Sequence, residues 1–132
     1  MSRLPSRVDV REVGPRDGLQ AEAPIDVVKR VALIEALLDA GVTHIEVAAF
    51  VSPRAVPAMA GAADVLATLP RRPGVVYAAL VPNVRGAELA LAAGVDELTV
   101  TVSASEAYSL RNVRMSVEES VVGCDVMCVV YG

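Results

Sequence analysis

The sequence predicts one α/β domain whose sheet strands run parallel. Short apolar segments typical of strands alternate along the chain with segments of helical periodicity, and the connections between them are short. Residues 40–47 and 93–100 resemble each other, each with a helix end, a glycine, a short turn and an apolar strand. Such strict alternation predicts parallel strands joined by crossover helices. With 132 residues, 54% of them hydrophobic, the chain is long enough to bury a core in one domain, residues 1–132.

The first predicted strand covers residues 8–13, where apolar residues alternate with Asp9 and Arg11. Gly14 and Pro15 end this strand, because proline cannot donate a backbone hydrogen bond to a sheet ladder. The strand is therefore expected to stop immediately before a charged segment.

Arg16 and Asp17 form that charged segment, on a loop that Gly18 allows to turn tightly. A charged pair between the end of a strand and the start of a helix occupies the position where α/β barrels carry their catalytic groups. Taken alone, the pair is equally consistent with an ordinary loop ion pair of little energetic value.

The first predicted helix covers residues 25–40, with Asp26 as N-cap and Gly41 just past its end. One face of this helix carries the apolar residues Val27, Val31, Ile34 and Leu38. The later predicted elements are bounded by proline or glycine in the same way. They are strands at residues 44–49, 75–80 and 97–102, and helices at residues 58–69 and 86–93.

The end of the chain departs from this pattern. A polar loop is expected after Ser103, and residues 116–119 have the spelling of a capping box that announces a helix. Residues 121–132 are β-branched, carry one charge and have no helical stripe, so no convincing helix is expected there. A frameshift or early stop after about Ser120 would account for this change of composition.

Composition and charge exclude several functions. The net charge of −4 and pI near 4.9 argue against a nucleic-acid or anionic-membrane surface. No apolar stretch approaches the roughly 18 residues of a membrane span, and the N-terminus has no apolar segment of a secretory signal. Cys124 and Cys128 are the only cysteines, so a reduced, cytoplasmic location is expected.

Four segments together resemble a known family: EVGPRDGLQ, IEVAAFVSPRAVPAMA, VPNVRGAELALAAG and SASEAYSLRNVRMSVEES. They are similar to the N-terminal half of the 3-hydroxy-3-methylglutaryl-CoA lyase family, in the DRE-TIM metallolyase superfamily. The resemblance covers residues 8–120. It implies a partial (β/α)8 TIM barrel, about the first four βα units, in an enzyme that cleaves its acyl-CoA substrate to acetyl-CoA and acetoacetate with Mg²⁺ or Mn²⁺.

The resemblance also implies roles for individual residues. Asp17 matches the carboxylate ligand of the metal, a hard oxygen donor suited to Mg²⁺ or Mn²⁺. Arg16 matches the residue that binds substrate and stabilises the developing enolate oxygen. Glu46 matches a polar, catalytic position of the pocket. Gln20 and Asn83 match substrate-binding positions.

The sequence also lacks parts of the family pattern. The family's H-x-H pair and asparagine, which supply the other metal ligands, and its G-x-G-G-C-P loop, which carries the acid cysteine, do not occur. The cysteines at 124 and 128 do not match that loop, and His44, at the start of its strand, is interpreted as structural. The 132-residue chain is therefore expected to be inactive alone.

Two alternatives remain at this stage. One is a non-catalytic half-barrel that pairs with itself, as a homo-oligomer, or with a complementary half, and that aggregates when alone because its sheet edges are open. The other is a related acyl-CoA lyase or 2-oxoacid aldolase. Neither alternative involves nucleic acid or a membrane.

Overall fold

A computed structural model describes residues 4–131 of the chain. Its sheet consists of β1 (His44–Ala49), β2 (Val76–Leu80) and β3 (Glu97–Thr99), in that order and all parallel. The α-helices are α1 (Val27–Asp39), α2 (Ala62–Thr68), α3 (Val84–Ala92), α4 (Glu106–Asn112) and α5 (Val117–Tyr131). Strands and helices alternate from α1 to α4, so the parallel α/β architecture is confirmed.

The register of the sheet places charged residues in one row. Glu46 of β1 lies opposite Ala78 of β2, which in turn lies opposite Glu97 of β3. Side chains on alternate residues share a face of a strand. The opposite face carries Ile45, Tyr77 and Leu98, which pack in the main hydrophobic core with the helices. The helices therefore cover one face of the sheet, while the other carries the charged row.

The predicted first strand at residues 8–13 is wrong as a full strand. Only Glu12 pairs with β1, through its N–H to the carbonyl of His44 (2.9 Å) and its carbonyl to the N–H of Glu46 (2.8 Å). Val8 and Val10 are 71% and 75% exposed. The alternating pattern is present, but a ladder needs a paired neighbour along its length, and the described residues supply one only at Glu12.

Residues 14–18 form a single π-helical turn, Gly14–Gly18, rather than an irregular loop. The N–H groups of Arg16 and Asp17 both donate to the carbonyl of Val13, at 3.1 and 2.7 Å. Pro15, within this turn, is buried. The turn therefore fixes the backbone that carries the two charged side chains.

The predicted helix at residues 58–69 is shorter than expected. A 3₁₀ turn, Pro57–Met59, is followed by Gly61 with φ of +73°, and α2 begins only after it. The first helix agrees with its predicted caps, because the Asp26 carboxylate accepts from the N–H of Lys29 at 2.8 Å and Gly41 has φ of +99°.

The prediction that no helix forms after residue 120 is wrong, as is the polar loop predicted over α4. The Ser116 capping box is present: its N–H donates to Glu119 at 2.7 Å, and its hydroxyl accepts from the Glu119 N–H at 3.0 Å. Met127, one helical turn from the end, is 4% exposed and packs in the core. The cap and this packing outweigh the weak helix propensity of the β-branched tail.

The capping box predicts a pH dependence at the start of α5. The hydrogen bond from the Ser116 N–H lowers the pKa of Glu119 below its ordinary 4.5. Because the pKa of Glu119 is lower in the folded state, the ionised side chain stabilises the fold at pH values above the unfolded pKa. This stabilisation is lost as the pH falls through the folded pKa. We expect the Ser116 amide NMR shift to titrate with Glu119, and Glu119→Gln to abolish that titration. Glu118→Gln is the control and should leave it intact.

Tyr77 is a buried aromatic residue of the core, and its hydroxyl group makes two hydrogen bonds. This hydroxyl donates to the Pro70 carbonyl at 3.0 Å and accepts from the Arg72 N–H at 3.2 Å. Tyr77→Phe leaves both partners unpaired, so we expect the free energy of unfolding to fall by about 1–3 kcal/mol. Tyr108, 50% exposed, provides the control: Tyr108→Phe should stay within about 0.5 kcal/mol in the same urea titration.

Candidate functional site

A buried ion pair forms the centre of the candidate site. Glu46 is 1% exposed in the middle of β1, and its carboxylate accepts from the Nε of Arg16. Arg16 is 15% exposed, and its Nη1 also donates to the Asp17 carboxylate at 2.7 Å. A buried carboxylate is costly without a partner, so Glu46 requires a nearby cation. The guanidinium is thereby held between two carboxylates, one buried and one 64% exposed.

A second arginine supports the other side of Glu46. Arg11 has its Nη1 3.9 Å from the Glu46 Oε2 and donates from the same nitrogen to the hydroxyl of Thr99 at 3.1 Å. Its Nη2 contacts the carboxylate of Glu97. The sequence analysis missed Arg11 and Glu97 as members of this cluster. The signal available in the sequence for Arg11 was the alternation of residues 8–13. This pattern places the Arg11 side chain on one face of the segment that leads into the charged turn.

His44 borders the same cluster. Its Nε2 lies 3.1 Å from the Glu97 carboxylate, although the contact lacks hydrogen-bond geometry. The residue begins β1, at the strand end opposite the loop that carries Arg16. This position agrees with its interpretation as structural, since barrel chemistry is found at the carboxyl ends of strands.

A cavity of about 450 Å³ lies where β1, β2 and β3 end. Gln20 and Asn83 both line it, so the structure brings together these two sequence-predicted residues. Hydroxyl and amide side chains missed by the sequence analysis also line it: Ser52, Thr101, Ser103, Tyr108, Ser109, Asn112 and Ser120. Arg16, Asp17 and Glu46 are not among its lining residues. They form the separate charged cluster described above.

Asn83 has a structural contact in addition to its place in the cavity. Its side-chain oxygen accepts from the N–H of Gly86 at 2.9 Å, which makes it the N-cap of α3. A Cβ at Gly86 would lie 2.8 Å from the carbonyl oxygen of Phe50, so glycine is required where α3 approaches the β1 loop. The cap and this close approach hold Asn83 at the cavity wall.

Arg30 fixes the loop that forms another wall of the cavity. It is 1% exposed on α1, and its Nη1 donates to the Ala60 carbonyl at 2.7 Å. Its Nε and Nη2 have no hydrogen-bond partner among the described residues. Burial lowers the pKa of this guanidinium. The contact ties α1 to the end of the loop whose earlier residues, Val51 to Val56, line the cavity in part.

The described residues do not by themselves fit a divalent-metal site. Asp17 offers one exposed carboxylate, but no group of three or more His, Cys, Asp or Glu side chains in residues 4–131 could hold a metal ion. Mg²⁺ prefers near-octahedral oxygen coordination. Among the described residues, the Asp17 carboxylate alone does not make such a site.

The two cysteines of α5 lie outside both the charged cluster and the cavity. Desolvation and, next, the neighbouring Cys128 raise the pKa of the Cys124 thiol. A protonated thiol is a poor nucleophile and a poor metal ligand, so this shift disfavours reactivity of Cys124.

The sequence model of the HMGL-like family matches residues 7–129. The chain belongs to the HMGL-like family. The match includes most of α5, so the resemblance extends beyond residue 120, where the sequence analysis ended it. The resemblance to hydroxymethylglutaryl-CoA lyases is thereby confirmed.

Individual HMGL-like relatives support the same conclusion. A Pseudomonas aeruginosa 3-hydroxy-3-isohexenylglutaryl-CoA/hydroxymethylglutaryl-CoA lyase is 52% identical over 118 residues, which are 89% of this chain and 39% of that protein. The crystal structure of the hydroxymethylglutaryl-CoA lyase from Pseudomonas aeruginosa superposes with a TM-score of 0.87 and 48% identity, over 96% of this chain and 43% of that one. An Acinetobacter baumannii lyase in complex with coenzyme A and 3-methylmalate superposes with a TM-score of 0.87 and 35% identity, over 92% and 41% of the two chains.

These comparisons confirm the partial TIM-barrel fold of this HMGL-like chain. It spans less than half of the length of each of these relatives. No helix in residues 4–131 is long and apolar enough to cross a membrane. The roles assigned to Arg16, Asp17, Gln20, Glu46 and Asn83 stay predictions.

Proposed function

We propose that this chain forms the N-terminal segment of a carbon–carbon lyase that cleaves 3-hydroxy-3-methylglutaryl-CoA to acetyl-CoA and acetoacetate. The observation that carries the proposal is the Arg16 guanidinium held between Glu46 and Asp17. When the carbon–carbon bond breaks, its electron pair passes to the acetyl-CoA fragment as an enolate. A fixed cation aimed at the enolate oxygen stabilises this charge without reorganising in the transition state.

Glu46 acts on the reaction by holding Arg16. A guanidinium with two carboxylate partners has little rotational freedom, so its remaining N–H groups point in a fixed direction. Arg11 restrains Glu46 from the other side at 3.9 Å. The cluster thus positions one cation through a buried acid.

Asp17 is proposed to bind Mg²⁺ or Mn²⁺ as one ligand of a site completed by residues outside this sequence. Its carboxylate is exposed on the turn that follows the Glu12 bridge to β1. It offers a hard oxygen of the kind that Mg²⁺ and Mn²⁺ prefer. The bound metal would supply a Lewis acid for the substrate oxygens. A cytoplasmic location is proposed because Cys124 and Cys128 are the only cysteines in the sequence, as expected of a protein in a reducing compartment.

The cavity at the strand ends is proposed to receive the acyl-CoA. Gln20 and Asn83 provide amide groups, and the surrounding hydroxyls provide further donors and acceptors for a polar thioester. The structure of the Acinetobacter baumannii relative is in complex with coenzyme A and 3-methylmalate. This supports an acyl-CoA as the class of substrate.

The proposal is tested by translating the coding DNA beyond the Gly132 codon in all three forward frames and expressing the longest product. We expect H-x-H and G-x-G-G-C-P in one frame, and Mg²⁺-dependent release of acetoacetate from the longer protein. A longer protein that carries both motifs but releases no acetoacetate would contradict the proposal. The 132-residue chain, assayed in parallel, should release none.

A further inference from the structure

Arg11 lies between the two carboxylates of the charged row. Its Nη2 contacts the Glu97 carboxylate of β3, its Nη1 donates to the Thr99 hydroxyl at 3.1 Å, and the same Nη1 lies 3.9 Å from the Glu46 Oε2. In a flat sheet, three strand spacings of about 4.8 Å each would separate Arg11 from β3. The contact therefore requires the sheet to curl toward the charged row, as part of a barrel wall does. Between the two carboxylates the row carries Ala78, whose small side chain leaves space for the guanidinium.

The two carboxylates hold Arg11 unequally. Both terminal nitrogens of its guanidinium donate to β3, whereas the 3.9 Å that separates it from Glu46 is longer than a hydrogen bond. The Glu46 carboxylate accepts instead from the Nε of Arg16. Each carboxylate therefore has its own arginine, since Glu97 holds Arg11 and Glu46 holds Arg16.

This division of partners depends on the charge of Glu97. Without that charge, the carboxylate nearest to Arg11 among the described residues is Glu46, whose side chain is 1% exposed. Opposite charges attract more strongly where water is excluded, so Arg11 would move toward Glu46. Two guanidinium groups would then share one carboxylate, and Arg16 would lose part of the contact that fixes its direction.

We propose that Glu97 is a positioning residue for the Arg16 guanidinium: it retains Arg11 on β3 and thereby leaves the Glu46 carboxylate to Arg16. This inference rests on the proposed function, in which Arg16 faces the enolate oxygen. Glu97 is the first residue of β3, at the barrel end that usually contributes stability rather than chemistry. Its effect on the reaction passes through Arg11 and the buried acid, without contact with the substrate.

Glu97→Gln, made in the longer protein that shows lyase turnover, tests this role. Glutamine keeps the shape of the side chain and removes its charge, so we expect kcat to fall about tenfold while KM stays nearly unchanged. Arg11→Met breaks the same ion pair but also removes the competing cation, so it should lower kcat less. The double variant should recover most of the kcat that Glu97→Gln loses alone. A double variant as slow as Glu97→Gln would overturn the proposal.

Asp96→Asn is the matched control for the kinetic experiment. Asp96 is the neighbour of Glu97 in the chain, its side chain is likewise 37% exposed, and it pairs with Arg71 instead of Arg11. Its substitution removes an ion pair of the same kind without touching the charged row, so kcat should not change. A purely structural role of Glu97 predicts similar results for the two variants, and equal kcat values would refute positioning.

Arginine NMR of the 132-residue chain tests the same role without reference to turnover. Because the Arg16 Nε donates to Glu46, we expect its proton to exchange slowly with water in chains labelled with ¹⁵N-arginine. Glu97→Gln should speed this exchange several-fold, Asp96→Asn should not, and adding Arg11→Met to Glu97→Gln should slow it again. Unchanged exchange in Glu97→Gln would overturn the proposal even where the longer protein is active. If the longer protein releases no acetoacetate, the proposed function fails, while this measurement still decides whether Glu97 positions Arg16.

Discussion

Arg16→Met should lower the free energy of unfolding by about 3–5 kcal/mol at neutral pH. The substitution leaves the Glu46 carboxylate, 1% exposed, without its nearest cation. Arg11 remains, but its Nη1 is 3.9 Å from the Glu46 carboxylate and its side chain is 34% exposed. It therefore compensates the buried negative charge only in part. Methionine preserves most of the side-chain volume, so the loss reports the unpaired charge rather than a cavity. Urea titration followed by circular dichroism measures it.

Two further variants separate the ion pair from other effects. Arg85→Met removes an arginine that is 75% exposed and that pairs, within residues 4–131, with Glu88 on the same helix, so it should change stability by less than about 0.5 kcal/mol. Adding Glu46→Leu to Arg16→Met should recover part of the loss, because it removes the uncompensated carboxylate. Additive losses in the double variant would show that the two side chains act independently.

The site could be predicted from sequence where its residues are neighbours in the chain. Arg16 and Asp17 are adjacent, and Gly14 and Pro15 precede them, so a charged segment was predicted at the right position, although its π-helical form was not. Arg11 and Glu97 are 86 positions apart. They meet because the sheet curls, and no local pattern encodes that curvature. No local pattern joins Gln20 and Asn83 either, and only the family resemblance assigned both to substrate binding before the structure placed them in one cavity.

The errors in the fold have a related cause. Residues 8–13 have a strand pattern, but a strand exists only where a neighbour pairs with it, and that neighbour lies far along the chain. Residues 121–129 have a poor helical pattern, yet Ser116 and Glu119 cap the helix and Met127 anchors it in the core. In residues 8–13 the strand propensity had no partner strand to pair with. In residues 121–129 the helix cap and the buried Met127 outweighed a low helix propensity.

Arg16→Lys should separate the proposed catalytic role of this residue from its structural role. Lysine keeps the positive charge beside Glu46, so we expect most of the folding stability to be retained. It loses the planar fork that reaches Glu46 and Asp17 simultaneously, and with it the fixed direction of the remaining N–H groups. In the longer protein that shows lyase turnover, kcat should fall by about 10²–10³-fold, the usual loss for one oxyanion-stabilising donor.

The pattern of kinetic constants decides between catalysis and substrate binding. If Arg16 stabilises only the developing enolate, Arg16→Lys lowers kcat and kcat/KM together and leaves KM nearly unchanged. A rise in KM at constant kcat would instead assign Arg16 to substrate binding alone. Arg85→Lys is the matched control, since Arg85 is exposed on α3 and lies outside the charged cluster, and it should leave both constants unchanged. Wild-type kcat in the Arg16→Lys enzyme would show that the guanidinium contributes to folding and not to the lyase reaction.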